Sequence, residues 1–360
     1  MIESENPLDP YVQSWTLSAE RELAANTTLE VNYIGTKSTH LLDRRNISQP
    51  NPISALSLAF CQAQDPVTGS YININQAPCT VVSRLPYPNF NGFYINSDFH
   101  GYSDYNAVNV KFEHRSHDLA ATSVFTWAKS LDDKSAAAGV GGTGSGYQGF
   151  ENNHDPRLDY GPSDFDVDLR FVSSYVYQLP FGRGKKFGGG VNQVTNLAVG
   201  GWQLTGIATF QTGFPYTITA NDIQSLNGTV FQHANLVPGC NIHSNLVRQF
   251  QRINADCFTQ PALGTYGNIG RNTLRQPGIN NFDTGLGKEF AFTERLRFAL
   301  KLDAFNTFNH HQYGGDVGGL IVAGSGGNTA IQNAVGSSNF GLVTLSSAPR
   351  ILQVSGKLTF

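Results

Sequence analysis

The 360-residue sequence predicts an all-β, antiparallel fold, and three observations predict it. Apolar and polar residues alternate in run after run, which places them on opposite faces of extended strands. Gly, Asn, Ser and Thr crowd the segments between those runs, as in strands joined by polar loops; 38 of the residues are Gly. No stretch sustains the 3.6-residue apolar period of a long helix. Charged residues make up 14% of the chain and the net charge is −3, so the basic surplus that nucleic acid would require is missing.

The first strand runs through Tyr11–Glu22, with Tyr11, Trp15, Leu17 and Ala19 against Ser14, Thr16, Ser18 and Glu20. After the turn "LAANT", Leu29, Val31 and Tyr33 alternate with Thr28, Glu30 and Asn32. Val108, Val110 and Phe112 alternate with Asn109, Lys111 and Glu113 until "SHDL" turns the chain. "ATSVFTWAKS" is less regular, because Phe125 and Trp127 share a face with Ser123. "RFVSSYVYQLPF" aligns Phe171, Tyr175, Tyr177, Leu179 and Phe181, and "GWQLTGIATFQTG" aligns Trp202, Leu204, Ala208 and Phe210. "FDTGLGKEFAF" and "RLRFALKLDAFNTF" form a hairpin across Thr293 and Glu294. The closing "RILQVSGKLTF" sets Leu352, Val354, Gly356, Leu358 and Phe360 against Gln353, Ser355, Lys357 and Thr359.

Connection lengths alternate. Short turns follow Glu22, Arg115 and Phe292, and a middling Gly-rich one follows Phe181. Long loops span about 40–100, 132–168, 214–280 and 309–349. Short turns at one end and long loops at the other are the arrangement of outer-membrane barrels. No run of about 18 apolar residues encodes a membrane helix, which leaves a strand-built membrane protein open. The start, "MIESENPLDPYVQSW", lacks the basic and apolar regions of a signal peptide, so an exported protein would carry its signal upstream.

Alternation alone fits two architectures. A soluble sandwich hides its apolar face and wets the face carrying Glu20, Glu30, Lys111, Glu113, Lys301, Asp303 and Lys357. A transmembrane barrel turns the apolar face to lipid and the charges to a wet lumen. Three features favour the barrel. Aromatics gather at strand ends on the apolar face: Tyr11, Phe171, Phe282 and Phe308 on the loop side, Phe181, Trp202 and Phe292 on the turn side. The strands run about 9–12 residues, the length of a tilted bilayer crossing. The chain ends on an aromatic in a two-faced strand. Lys288 breaks the apolar face of its strand, at a depth from which it can snorkel to the turn side.

As a set, "YVQSWTLSAERELAANTTLEVNYIGTKSTHLL", "YNAVNVKFEHR", "FTWAKSLDD", "LDYGPSDFDVDLRFVSSYVYQLPFGRGK", "GGWQLTGIATFQTGFPYTI", "GTYGNIGRNTLRQPGINNFDTGLGKEFAFTERLRFALKLDAFNTFNH" and the closing strand resemble the C-terminal part of an Oar-like TonB-dependent receptor. These segments extend from about residue 11 to 360. The resemblance implies a barrel of about 22 strands closed by an N-terminal plug. Roughly nine strands are legible, an odd number that cannot close with both ends in the periplasm, so residues 1–360 are expected to be the C-terminal portion of one incomplete barrel domain, with plug and N-terminal domains absent. It implies that Phe360 and Leu358 form the signal read by the barrel-assembly machinery; an accidental Phe at a sheet edge is the bland alternative. The partners implied are outer-membrane lipid, TonB through a missing N-terminal region, and an extracellular ligand. No cofactor and no nucleic acid are expected.

Cys61 and Cys79 lie in one polar segment and Cys240 and Cys257 in another, at spacings unsuited to a CxxC metal or redox site. Two short-range disulfides in an oxidising compartment are one use; four free thiols in a reducing one are the other. Asp164, Asp166 and Asp168 share a face if extended, and clustered oxygens can hold Ca²⁺; the stretch lacks EF-hand spacing, and Arg157 and Arg170 could neutralise it instead. Gly139, Gly141 and Gly144 match GxGxxG, but no helix follows, so a flexible loop is expected. His114, His117, His310 and His311 lack a metal-ligand pattern. The aromatics of "YPNFNGFYINSDFHGY" suit either ligand stacking or packing over the rim. No catalytic motif is present, and enzymatic function has no support in the sequence. Three functions fit: transporter wall, non-transporting surface module, and soluble β-sandwich lectin.

Overall fold

The computed structural model describes residues 2–3, 8–89, 94–135, 150–222, 231–243, 246, 250–293, 295–313, 316–317, 320–321 and 331–360. The GxGxxG glycines (Gly139, Gly141, Gly144), Glu294 of the last hairpin turn and residues 90–93 of the loop aromatics lie outside the described residues.

Among the described residues, nine long strands form one antiparallel sheet. They are β1 (Tyr11–Ala24), β2 (Thr27–Asn46), β3 (Tyr94–Arg115), β4 (Leu119–Asp132), β5 (Leu169–Gln178), β6 (Trp202–Gln211), β7 (Ile279–Ala291), β8 (Arg297–Phe305) and β9 (Ile351–Thr359). Their order across the sheet is their order in the chain. β1 and β9 stand at opposite edges and do not pair, so the barrel is not closed. The first turn is tight because Asn26 takes φ 64°, a left-handed conformation that Asn tolerates.

The first long loop is shorter than the sequence suggests. β2 and β3 stay paired as far as Asn46 and Tyr94, through irregular register between Ser38 and Arg45. At 20 and 22 residues they exceed a bilayer crossing, so this hairpin stands beyond the wall. Alternation fades there because no lipid face has to be maintained.

Register fixes two faces. Val31, Val110, Phe125, Phe171 and Phe210 form one row across β2–β6. The neighbouring row on the other face is Glu30, Lys111, Val124, Val172 and Thr209. Leu352, Val354 and Leu358 are 61%, 69% and 57% exposed, and no second layer covers their face among the described residues. A sandwich would bury these side chains; here they point outward, as in a wall facing lipid.

The outward face is built for that setting. On the loop side Phe171, Phe210, Phe282 and Phe308 form a chain of rings 5.0–6.2 Å apart. On the turn side stand Trp202, Phe290, Phe292 and Phe298. From Trp202 to Phe210 the strand rises about 26 Å. At a tilt of ~40° this is roughly 20 Å of height, near the ~25 Å apolar band of such walls. The irregular Ser123 is satisfied by Ser173 on the next strand, Oγ to Oγ 2.8 Å. Lys288 is buried: its ammonium crosses the rings of Trp202 (5.3 Å) and Phe290 (5.0 Å) and donates to the Gly200 carbonyl at the turn side. Tyr175 lies over Gly206, where a Cβ would meet its ring at 2.6 Å.

Apolar cores occur instead in the long loops. One gathers Tyr216, Ile218, Ala234, Ile253, Phe258, Ile331 and Phe340, joining loop 212–278 to loop 306–350. A smaller one sets Ile53, Cys61 and Cys79 against Leu263. The described parts of the long loops thus form a cap with its own packing.

Candidate functional site

Two regions bear the polar chemistry: the inner wall and the long-loop cap. On the inner wall, Lys111 lies 3.1 Å from Glu113 and 4.0 Å from Glu30, and Arg115 lies 2.6 Å from Glu113. Further along, Lys301 meets Asp303 at 2.7 Å and Arg297 meets Glu289 at 3.0 Å. These pairs follow from the alternation, which places charges two residues apart on one face of a strand. A groove of about 690 Å³ crosses this face from β4 to β8, past Thr122, Ser174, Thr205, Gly285 and Lys301.

In the cap, Asp132 at the end of β4 and the aspartates of loop 133–168 meet cations from loop 212–278. Arg271 is buried and binds the carboxylate of Asp132, lies 3.4 Å from Asp164 Oδ1, and donates through Nε to the Asp159 carbonyl at 2.8 Å. Asn272 Nδ2 also donates to Asp164, at 2.7 Å. Arg275 binds Asp166 and lies 2.8 Å from Asp168 Oδ1. Lys129, at the end of β4, joins the same two carboxylates at 2.9 and 3.1 Å. Burial pushes the Asp166 carboxyl up, but the Ser130 amide, Lys129 and Arg275 outweigh it and hold the group below its ordinary value.

The three candidate calcium ligands therefore divide. Asp164 faces Arg271 and Asn272, whereas Asp166 and Asp168 share Arg275 and Lys129. The described residues contain no group of three or more His, Cys, Asp or Glu placed to hold a metal ion. The cations come from far along the chain; Arg157, a nearer candidate, pairs with Asp155 at 3.0 Å. Cys61 is bonded to Cys79 and Cys240 to Cys257, each inside a loop core, with Cα separations of 5.7 and 5.4 Å. The histidines do not converge: His114 meets Thr27, His117 lies 4.0 Å from Asp118, and His311 stacks on Tyr313. Phe360 is 93% exposed, one residue beyond β9, and Leu358 sits on the outward face opposite Phe298.

Other residues that build the cap carry no sequence signal. Glu151, Asp159 and His233 are each buried, with the imidazole between the two carboxyls. Gln49 reaches from the first long loop to donate to the Glu151 carbonyl at 2.7 Å and accept from the Asn153 amide. None of these residues belongs to a local motif; Glu151 and Asp159 lie 8 residues apart, but 82 residues separate Glu151 from His233 and 102 separate Gln49 from Glu151.

A family described as outer membrane beta barrel domain matches residues 3–353. Among solved structures, the outer membrane transporter YddB from Escherichia coli is similar at 10% identity and TM-score 0.45, over 99% of this chain and 34% of that one. The FrpB iron transporter from Neisseria meningitidis (F3-3 variant) is similar at 9% identity and TM-score 0.41, over 99% and 32%. The chain spans about a third of the length of these transporters. No curated protein matches the sequence.

Proposed function

We propose a function from one premise: this chain belongs to the outer membrane beta barrel domain family, and it resides in the outer membrane. It supplies lipid-facing wall, polar lumen lining and extracellular loops to an Oar-like, TonB-dependent transporter that imports a bulky solute. Residues 1–360 are the C-terminal portion of its barrel, and the remaining strands pair with the free edges of β1 and β9. The observation that carries this reading is the inverted sheet, greasy outside and charged inside, with the long loops gathered at one end. Several strands beyond nine are needed before such a wall encloses a passage for a large molecule.

Capture tests it without knowledge of the solute. The full-length protein, extracted in detergent, is expected to bind the immobilised periplasmic domain of TonB. Absence of binding, with the barrel shown to be folded, would remove energised import. A second reading, a non-transporting surface protein that binds through its loops, is favoured by the two disulfide-bearing cores of the cap. It predicts intact surface binding by cells that lack TonB.

A further inference from the structure

The cap encloses an acid–base cluster that no part of the transport reading uses. Glu151, Asp159 and His233 are 4%, 1% and 3% exposed. Nδ1 of His233 lies 3.3 Å from Glu151 Oε2, and Nε2 lies 3.5 Å from Asp159 Oδ1. Glu151 Oε1 accepts from the His233 amide (3.0 Å) and the Gly267 amide (3.2 Å). Asp159 Oδ2 accepts from the Glu151 amide at 2.8 Å, while its Oδ1 has no hydrogen-bond partner. The nearest guanidinium, Arg271, is engaged by Asp132, Asp164 and the Asp159 carbonyl. Asp222 and Tyr266 also bear on Glu151, and Asp133 and Lys134 on Asp159. The Ile269 backbone and Arg271 bear on His233.

Proton counting decides what this arrangement needs. A neutral imidazole donates one hydrogen bond and accepts one. Its one hydrogen is shared between the Ile269 backbone and at most one flanking carboxyl, so the other carboxyl must bring a proton to the ring lone pair. An imidazolium between two carboxylates holds the same total. Either way the closed cluster keeps one proton more than two carboxylates and a neutral ring. Without it, one carboxylate faces a lone pair in a dry site, which is strongly unfavourable.

We propose that Glu151, His233 and Asp159 form a proton-held latch: one shared proton keeps residues 150–160 closed on residues 231–236 and 266–271, and its loss above neutral pH releases them. Gln49 ties the first long loop to the same point through the Glu151 carbonyl and the Asn153 amide. The direction follows from the burial. Burial first, then Asp159, push the Glu151 carboxyl up to about 8. Burial likewise raises Asp159 to about 7 and lowers His233 to about 4. Raised carboxyls stabilise the closed cap fully at acid pH, and that contribution is lost as pH rises through 7 to 8. The depressed histidine acts oppositely, but only as pH falls from its ordinary value of 6.5 toward 4. Above neutrality the carboxyls alone set the slope.

Hydrogen–deuterium exchange on the full-length protein in outer-membrane vesicles tests the latch, with rates corrected for intrinsic pH dependence. Between pH 6 and pH 9, peptides covering 150–160, 231–236 and 266–271 should lose protection by about tenfold or more, while those of β4–β6 keep theirs. Glu151→Gln, which carries its own hydrogens, should blunt that loss, and Asp159→Asn serves if the first variant does not fold. Equal protection of the cap peptides at both pH values in the natural protein would overturn the proposal. So would loss in folded variants that follows the natural profile.

Discussion

Asp166 shows how a single residue holds the cap. Its carboxylate is fully buried and shared by Arg275, Lys129 and the Ser130 amide. Arg275→Ala should cost about 3 kcal/mol, because a charge left in a dry site loses a partner. The measurement is the urea concentration at which cap loops become protease-sensitive; an unchanged midpoint would exclude the clamp. Asp166 also sets an acid limit. Its folded pKa is depressed, so its stabilisation is full above about pH 4 and is lost as pH falls through the folded value. The cysteines act on the same loops. Non-reduced peptide mapping should link Cys61 to Cys79 and Cys240 to Cys257. Reduction should lower cap stability by about 3 kcal/mol for a closed loop of this size; four free thiols would defeat the idea. In the sequence the cysteine pairs were legible because each lies within one loop. The arginine partners were not, since ion pairing across more than 100 residues leaves no periodic trace.

At the scale of the strand, the period of two makes a sharp prediction. Val354→Lys places a charge on the outward face of β9 and should destabilise the lipid-embedded barrel by about 2–4 kcal/mol near mid-depth. Ser355→Lys, one residue on, points to the lumen and should change little. Equal effects in unfolding from liposomes would mean that the faces are misassigned. The terminal residue separates folding from delivery. Phe360 is nearly free of packing, so Phe360→Ala should leave the assembled barrel's stability within about 0.5 kcal/mol. If the residue is an assembly signal, the variant accumulates in the periplasm instead; normal insertion yield would refute that role. Strand existence and facing were readable because lipid on one side and water on the other impose alternation. The upper ends of β2 and β3 were missed because beyond the bilayer neither face is constrained.

The whole molecule is a sheet whose exterior is apolar and whose cores lie in its loops. Expression without detergent should therefore give no soluble monodisperse monomer; recovery of one would contradict the exposed rows of Leu, Val and Phe. The two unpaired edges have the same consequence, since a free backbone group in hydrocarbon costs several kcal/mol. Alternation by itself allowed either an inward or an outward apolar face. Aromatic strand ends, strand length and the closing aromatic favoured the wall, and among the described residues no second layer covers Leu352, Val354 and Leu358. What the sequence determined alone was the set of strands, their two faces, the alternation of short turns and long loops, and the outer-membrane character that follows, because each is encoded within a few neighbouring residues. Only the tertiary structure decided that the long loops join into one cap, that Arg271 and Arg275 neutralise the aspartates, and that His233 sits between Glu151 and Asp159. Those contacts depend on how distant loops fold back over the sheet, and a burial shared by residues so far apart has no signature along the chain.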